Sequence, residues 1–153
     1  MSEHTDDEIR SLVDTLSTVE LFSGLDEETL SLVAAKTQQV AYKQGDILCN
    51  EGEPGDRMFI VHRGEVSVLK RGHDGKQTQL TVLRAGEFAG ELTLFDKSNR
   101  NATLQARYGA TILELSHDDM QQLIGEHPQL SRALLASISR HLRSQNWVVA
   151  NLQ

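Results

Sequence analysis

The sequence predicts an α+β fold in which a β-rich middle segment is flanked by helical segments at both ends. At the start and the end of the chain, apolar residues recur at the spacing of an amphipathic helix. Residues 38–115 instead alternate with the two-residue period of short strands, and glycines punctuate them at fairly even intervals. Many short strands joined by glycine turns are typical of a β-sandwich or barrel.

The composition indicates one globular domain with an acidic balance. The chain has 153 residues, of which 39% are hydrophobic and 24% charged, and this length can bury a core without disulfides or metals. The net charge of −7 argues against a general nucleic-acid binder, which needs a basic surface to displace counterions. The sequence contains no apolar run of about 18 residues, so we expect a cytoplasmic protein without a membrane span.

Two helices are predicted before the strands. The first runs from about Asp6 to Val19, because its apolar residues share one helical face. Asp26 is a suitable N-cap for the second helix. The face of the first helix consists of Ile9, Leu12, Val13, Leu16 and Val19.

The strand region begins at Gln38 and ends near residue 115. We predict strands over 38–42, 47–49, 58–61, 66–70, 78–82, 103–106 and 111–115, with turn glycines at 45, 52, 55, 64, 75 and 86. Cys49 is the only cysteine and lies in one of these strands, so no intramolecular disulfide can form. We expect it to pack as a small hydrophobic residue.

Two more helices are predicted after the strands. Ser116 is a suitable cap, with Asp119 three positions later, and Gly125 provides a natural stop. Pro128 suits the first turn of a longer helix that continues toward the C-terminus.

The stretch from Phe88 to Thr103 carries the candidate binding chemistry. Gly90 and Glu91 precede a short apolar turn, and Arg100 follows nine positions after the glutamate. Free backbone N–H groups at such a turn bind anions, and the arginine fork matches phosphate oxygens. An ionised glutamate only accepts hydrogen bonds, so it suits a sugar hydroxyl, and glycine lets a ligand approach the backbone. The pattern therefore suits a small ligand with one phosphate and one sugar hydroxyl.

These residues resemble the phosphate-binding cassette of cyclic-nucleotide-binding domains, the family of catabolite activator protein-like and protein kinase A regulatory subunit-like proteins. The family pattern is Phe-Gly-Glu-Leu-Ala-Leu, a short spacer and Pro-Arg-Ala-Ala-Thr. Lys-x-Gly-Asp and Gly-Glu-Val turns also resemble the family, and the likeness spans roughly Val19 to Arg143. The matched cassette positions are Gly90, Glu91, Leu92, Leu94, Arg100, Ala102 and Thr103.

The resemblance implies an antiparallel jelly-roll barrel with N-terminal helices, a short phosphate-binding helix and a C-terminal helical lid. Glu91 would hold the ribose 2′-hydroxyl and Arg100 the cyclic phosphate of cAMP or cGMP, with no additional cofactor. Thr93, Asn99 and Asn101 depart from the family pattern and bear on affinity and nucleotide choice. The other expected ligand-binding residues are Gly90, Leu92, Thr93, Asn101 and Ala102.

The lid expected from the resemblance is the helix that begins at Pro128. Arg140, Arg143 and Asn146 could face the base of the nucleotide, and Trp147 could stack on it. The alternative is that these residues form a solvated face and Trp147 only packs. We expect a single domain over 1–153, with N-terminal helices at 1–37, a β-roll at 38–115 holding the cassette at 88–103, and C-terminal helices at 116–153.

The expected function is a sensor of cyclic nucleotide, cAMP in preference to cGMP, that moves its C-terminal helix and is not an enzyme. The sequence lacks a serine elbow, a paired-cysteine motif and a phosphate-cradling Gly-x-x-x-x-Gly-Lys motif, and its six histidines lack metal-ligand spacing. The competing interpretation is a degenerate, ligand-free jelly roll used for protein interaction or dimerisation. Expected partners are the nucleotide and, through the C-terminal helix, a homodimer or an effector domain. No helix-turn-helix follows the long helix, so we expect no nucleic acid to bind this chain.

Overall fold

The computed structural model describes residues 4–91 and 99–150, without the side chains of residues 138 and 141–150. In this part of the chain four α-helices and eight strands form two compact units. One unit contains residues 36–121 and all of the strands, and the other contains the N-terminal helices with the chain from residue 122 onward.

The helical unit follows the predicted periodicity. Helix α1 is Asp6–Ser17 and buries Leu12 and Leu16, a 3₁₀ turn covers Glu20–Phe22, and helix α2 is Glu27–Lys36. Asp26 caps α2 as predicted, because its Oδ1 accepts a hydrogen bond from the Thr29 amide at 2.8 Å.

Two further helices follow the strands. Helix α3 is His117–Glu126, and its predicted serine cap is present, because Ser116 Oγ accepts from the Asp119 amide at 3.0 Å. Helix α4 is Pro128–Ala150. Among residues 4–91 and 99–150, no helix has the length and apolar character that crossing a bilayer requires.

The strands form two antiparallel sheets of four strands each. The first sheet has the order β1-β8-β3-β6 and the second the order β2-β7-β4-β5. This α+β, jelly-roll-like arrangement confirms the predicted fold class, and the sheets remain open at their edges instead of joining into a closed barrel. The strands are β1 Gln38–Tyr42, β2 Ile47–Cys49, β3 Arg57–Arg63, β4 Val66–Arg71, β5 Gln77–Leu83, β6 Phe88–Ala89, β7 Thr103–Ala106 and β8 Ala110–Ser116.

An apolar cluster with members from both sheets forms part of the core. Alternate side chains point inward along each strand, so β3 contributes Phe59 and Val61, and β8 contributes Ala110 and Ile112. The second sheet supplies the other buried members, Val66, Leu104 and Ala106. Six partly buried residues pack against this core cluster: Tyr42, Leu48, Cys49, Val68, Leu83 and Ala89.

The segment between β6 and β7 contains the candidate cassette. Gly90 and Glu91 follow β6, and residues 99–102 lead into β7. The short phosphate-binding helix expected from the resemblance falls on residues 92–98, which lie outside the described residues together with Leu92 and Thr93.

Candidate functional site

Gly90 and Arg100 meet at the centre of the candidate site. Gly90 has a φ of +80°, a conformation that L-residues with a side chain rarely adopt. A Cβ atom at this position would lie 2.6 Å from Arg100 Nη1 and 3.1 Å from the Arg57 carbonyl oxygen. The backbone angle therefore favours glycine, and any side chain at this position would have to displace the end of Arg100.

Two backbone hydrogen bonds and one aromatic contact hold Arg100 in place. Its amide donates to the Glu53 carbonyl at 2.7 Å, and its carbonyl accepts from the Gly52 amide at 2.8 Å. The guanidinium lies over the Phe59 ring, with Cζ 5.0 Å from the ring centroid. The turn before β3 and a core aromatic residue thus fix the arginine from both ends.

The Arg100 side chain is buried and incompletely paired. Its residue is only 9% exposed, and Nη1 has no hydrogen-bond partner among the described residues. Leaving a buried donor unpaired costs about 1–3 kcal/mol, and more when the group is charged. An anionic acceptor would offset that cost, so this nitrogen is suited to bind a phosphate oxygen.

The residues after Arg100 are tied to β4 and to the turn before β3. Lys70 Nζ donates to the Asn101 carbonyl at 2.9 Å, and the Thr103 hydroxyl accepts from the Glu51 amide at 2.9 Å. Asn101 is exposed and Ala102 is half-buried. The hydrogen bond from Lys70 therefore fixes the backbone of Asn101, while the residue itself is exposed at the surface.

Glu91 is half-buried and directly follows Gly90. The structure brings Gly90 and Arg100 together at the two ends of the segment that joins β6 to β7, and Glu91 is the chain neighbour of the glycine. This arrangement could present a carboxylate and a guanidinium to one small ligand.

The predicted lid residues lie on α4. Arg140 Nη2 donates to Ser23 Oγ at 3.2 Å and to Ser137 Oγ at 3.1 Å, so its guanidinium has partners within its own helical unit. Arg143, Asn146 and Trp147 belong to the same helix, but their side chains lie outside the description.

The sequence interpretation missed a polar network inside the strand unit. Glu114 is 7% exposed, and its Oε1 accepts from Arg57 Nη1 at 2.9 Å while its Oε2 accepts from the Tyr42 hydroxyl at 2.5 Å. Arg57 also donates to both Asp56 oxygens, at 2.8 and 3.2 Å. The signal was Glu114 itself, a charged residue in an apolar strand at the same parity as the buried Ile112.

This network shifts the protonation of its members. Burial, followed by the hydrogen bond to Glu114, raises the pKa of Tyr42 well above the ordinary tyrosine value. The hydrogen bond from Arg57 holds the pKa of Asp56 below that of an ordinary aspartate. The Arg57 carbonyl also borders Gly90, so the network lies along the wall of the candidate site.

The described residues offer no alternative metal centre. Across residues 4–91 and 99–150, no group of three or more His, Cys, Asp or Glu side chains is arranged to hold a metal ion. The buried guanidinium of Arg100 suits the site to the binding of a small anion.

Comparison with known families identifies the family of this chain. The sequence profile of the cyclic nucleotide-binding domain matches residues 39–127, and this chain belongs to that family. The matched range contains Gly90, Arg100 and all eight strands except the first residue of β1. It ends near the C-terminus of α3.

Among individual proteins, the chain is 29% identical over 132 residues to the CRP-like cAMP-activated global transcriptional regulator of Mycobacterium tuberculosis. That alignment covers 86% of this chain and 59% of the regulator. This chain is also 35% identical over 130 residues to the cyclic nucleotide-gated channel beta-3 of Mus musculus. That alignment covers 83% of this chain and 18% of the channel. The chain thus spans less than two thirds of these relatives.

A solved structure gives the same result for the fold. The N-terminal domain of a transcriptional regulator from Streptomyces coelicolor A3(2) superposes with a TM-score of 0.79 at 37% identity. The match covers 85% of this chain and 91% of that domain.

Proposed function

We propose that this domain binds a 3′,5′-cyclic purine nucleotide, cAMP in preference to cGMP, and acts as a regulatory sensor that performs no catalysis. The observation that carries the proposal is the buried Nη1 of Arg100, which has no partner among the described residues and lies against Gly90. A cyclic phosphate supplies the acceptor that this nitrogen lacks, and its single negative charge matches the single guanidinium.

Glu91 is the proposed partner of the ribose 2′-hydroxyl. It is half-buried and adjacent in sequence to Gly90, so its carboxylate can accept from a hydroxyl while the phosphate binds Arg100. Leu92, Thr93 and Ala102 would complete the lining of this pocket.

The preference for cAMP rests on similarity to a relative, because the local chemistry permits either nucleotide. Asn101 follows Arg100, and its amide can both donate and accept, so its chemistry permits either purine. The Mycobacterium tuberculosis regulator is described as cAMP-activated, and its similarity to this chain favours cAMP.

We propose that the whole chain, 1–153, forms one such sensor domain acting in the cytoplasm.

Helix α4 is the proposed moving part, with Arg140, Arg143, Asn146 and Trp147 available to the base. A ligand moves a helix only when it binds one position of the helix more tightly than another. Arg140 contacts Ser23 and Ser137, and exchange of these contacts for the nucleotide would couple occupancy to the helix.

A second candidate function is protein interaction or dimerisation through α4. Leu135 supports it, because this large apolar residue is 59% exposed on that helix. The partner would be a second copy of the chain or an effector domain, and this function is compatible with nucleotide binding.

Thermal melting with added nucleotide tests the proposal. At a hundredfold excess over Kd, bound ligand adds about 2.7 kcal/mol of stability, which raises the melting temperature of a domain of this size by roughly 5–10 °C. We expect cAMP to produce this shift at lower concentration than cGMP. Arg100→Lys should lose the shift, because a point charge does not reproduce the fork, whereas Arg10→Gln on α1 should keep it. The absence of any shift with either nucleotide at millimolar concentration would contradict the proposal.

A further inference from the structure

Strand β2 carries a bulge that redirects its side chains. Ile47 is paired with Gln105 and Cys49 with Leu104, so two steps along β2 correspond to one step along β7. In a regular strand, consecutive side chains point to opposite faces. Here Leu48 and Cys49 both pack against the core cluster, because the bulge turns one of the two side chains to the other face. Such bulges are common beside functional sites.

The redirected thiol lies beside the residues of the anion site. Cys49 Sγ is 3.9 Å from the Ala102 carbonyl oxygen, two residues beyond Arg100. The core cluster that Cys49 packs against includes Phe59, whose ring carries the Arg100 guanidinium. Independently of the cysteine, Arg100 Nη1 is buried and has no hydrogen-bond partner among the described residues, so it is suited to bind an anion.

We propose that Cys49 is a covalent capture site in the wall of the Arg100 anion pocket, where a small thiol-reactive anion is held by the guanidinium, forms a bond to Sγ and excludes the ligand. The identity of the excluded ligand as a cyclic nucleotide rests on the function proposed above. The capture itself rests only on the positions of Cys49 and Arg100.

The chemistry is a substitution at sulfur that needs no oxidant. The thiol releases its proton to water, a sulfur electron pair forms a bond to an electrophilic carbon, and the leaving group departs with the electrons of the broken bond. Burial raises the pKa of Cys49, whereas the nearby charge of Arg100 opposes that rise. At neutral pH a neutral reagent therefore reacts slowly with Cys49. An anionic reagent reacts faster, because the guanidinium raises its concentration next to the sulfur.

Alkylation rates of the folded protein test the charge selectivity. Iodoacetate is the anionic probe and iodoacetamide its neutral counterpart, and both displace iodide. Cys49 is the only cysteine, so a single mass increase reports the reaction. We expect the ratio of the iodoacetate rate to the iodoacetamide rate to be at least about fivefold higher in the folded protein than in the same protein in urea. Equal ratios would overturn the proposal.

Two substitutions identify the source of the selectivity. Arg100→Gln should reduce the ratio to its value in urea, whereas Arg10→Gln, which removes the same charge from helix α1, should retain it. Arg100→Lys retains the positive charge and should keep most of the selectivity, so a folded Arg100→Lys protein whose ratio falls to the urea value would also overturn the proposal. A ratio that is unchanged in a folded Arg100→Gln protein would contradict the assignment.

Protection experiments separate this proposal from the proposed function. Inorganic phosphate should slow alkylation, and cAMP should slow it at lower concentration. Carboxymethylated protein should then lose its cAMP melting shift, while iodoacetate treatment should not alter the response of Cys49→Ser. Protection by phosphate without any effect of cAMP would support the capture site and count against nucleotide binding. A cAMP melting shift without protection would overturn the capture site and leave nucleotide binding supported.

Discussion

Arg100 Nη1 occupies the space that a side chain on residue 90 would need, at 2.6 Å from an ideal Cβ. The glycine and the arginine are separated by ten positions in sequence, yet the absence of a side chain at residue 90 leaves the space in which the guanidinium lies. The pair therefore links the end of β6 to the approach to β7 and leaves one guanidinium nitrogen without a partner among the described residues.

Gly90→Ala should damage binding as well as stability. A non-glycine residue in a left-handed conformation costs of order 1–3 kcal/mol, and the methyl group would also displace Arg100 Nη1. The matched control is Gly75→Ala, because Gly75 has a φ of +78° and nothing within 4 Å of its ideal Cβ. We expect both variants to melt at lower temperature, but only Gly90→Ala to lose the stabilisation by cAMP. Equal cAMP responses in the two variants would contradict this role of the pair.

Glu91→Ala should weaken cAMP binding by about 1–3 kcal/mol, since a hydrogen bond to a charged group is lost. Calorimetric titration with cAMP and with 2′-deoxy-cAMP provides a double-mutant cycle. The deoxy ligand should bind more weakly than cAMP to the original protein and about equally well to Glu91→Ala. Losses that simply add would show that Glu91 does not contact the 2′-hydroxyl.

Tyr42 should make the protein lose stability at alkaline pH. Its folded-state pKa is raised above the ordinary value of 10.0, so both states keep the proton below that pH. Above pH 10 the unfolded state loses the proton first, and the free energy of unfolding falls as the pH rises toward the folded-state pKa.

Urea titrations at pH 8 to 11 measure this effect. We expect Tyr42→Phe to be less stable than the original protein near neutral pH, because Glu114 Oε2 loses its hydrogen bond. The stability difference between the two proteins should shrink above pH 10. Tyr108→Phe, which removes the hydroxyl of an exposed tyrosine, is the matched control. A constant difference would contradict the shifted pKa.

Helix α4 should become more protected when the nucleotide binds. We expect cAMP to slow amide hydrogen exchange over residues 137–149 and to change the fluorescence of Trp147, whereas protection of α1 should stay constant. Removal of the residues after Arg140 should weaken binding while the strand unit remains folded. If the shortened protein binds as tightly as the full chain and exchange over 137–149 is unaffected by cAMP, α4 is a docking or dimerisation surface instead of a lid.

The sequence by itself determined the order and type of the elements. Periodicity predicted α1 and seven of the eight strands, all except the two-residue β6, and local cap residues such as Asp26 and Ser116 marked the helix starts that the structure confirms. The matched cassette residues also identified the family and assigned Gly90 and Arg100 to one candidate site. These features could be predicted because periodicity, caps and short motifs depend on neighbouring residues.

Only the tertiary structure decided which distant residues meet. Tyr42 and Glu114 are 72 positions apart and bond because β1 and β8 are adjacent. The bulge that turns Cys49 inward depends on the register between β2 and β7, and a shift of register by one residue reverses the face of a side chain. The packing of the Arg100 guanidinium over Phe59, 41 positions away, likewise appears only in the tertiary structure, as does the burial of Nη1 without a partner among the described residues. Such contacts depend on strand register and packing between sheets, which local sequence patterns do not specify.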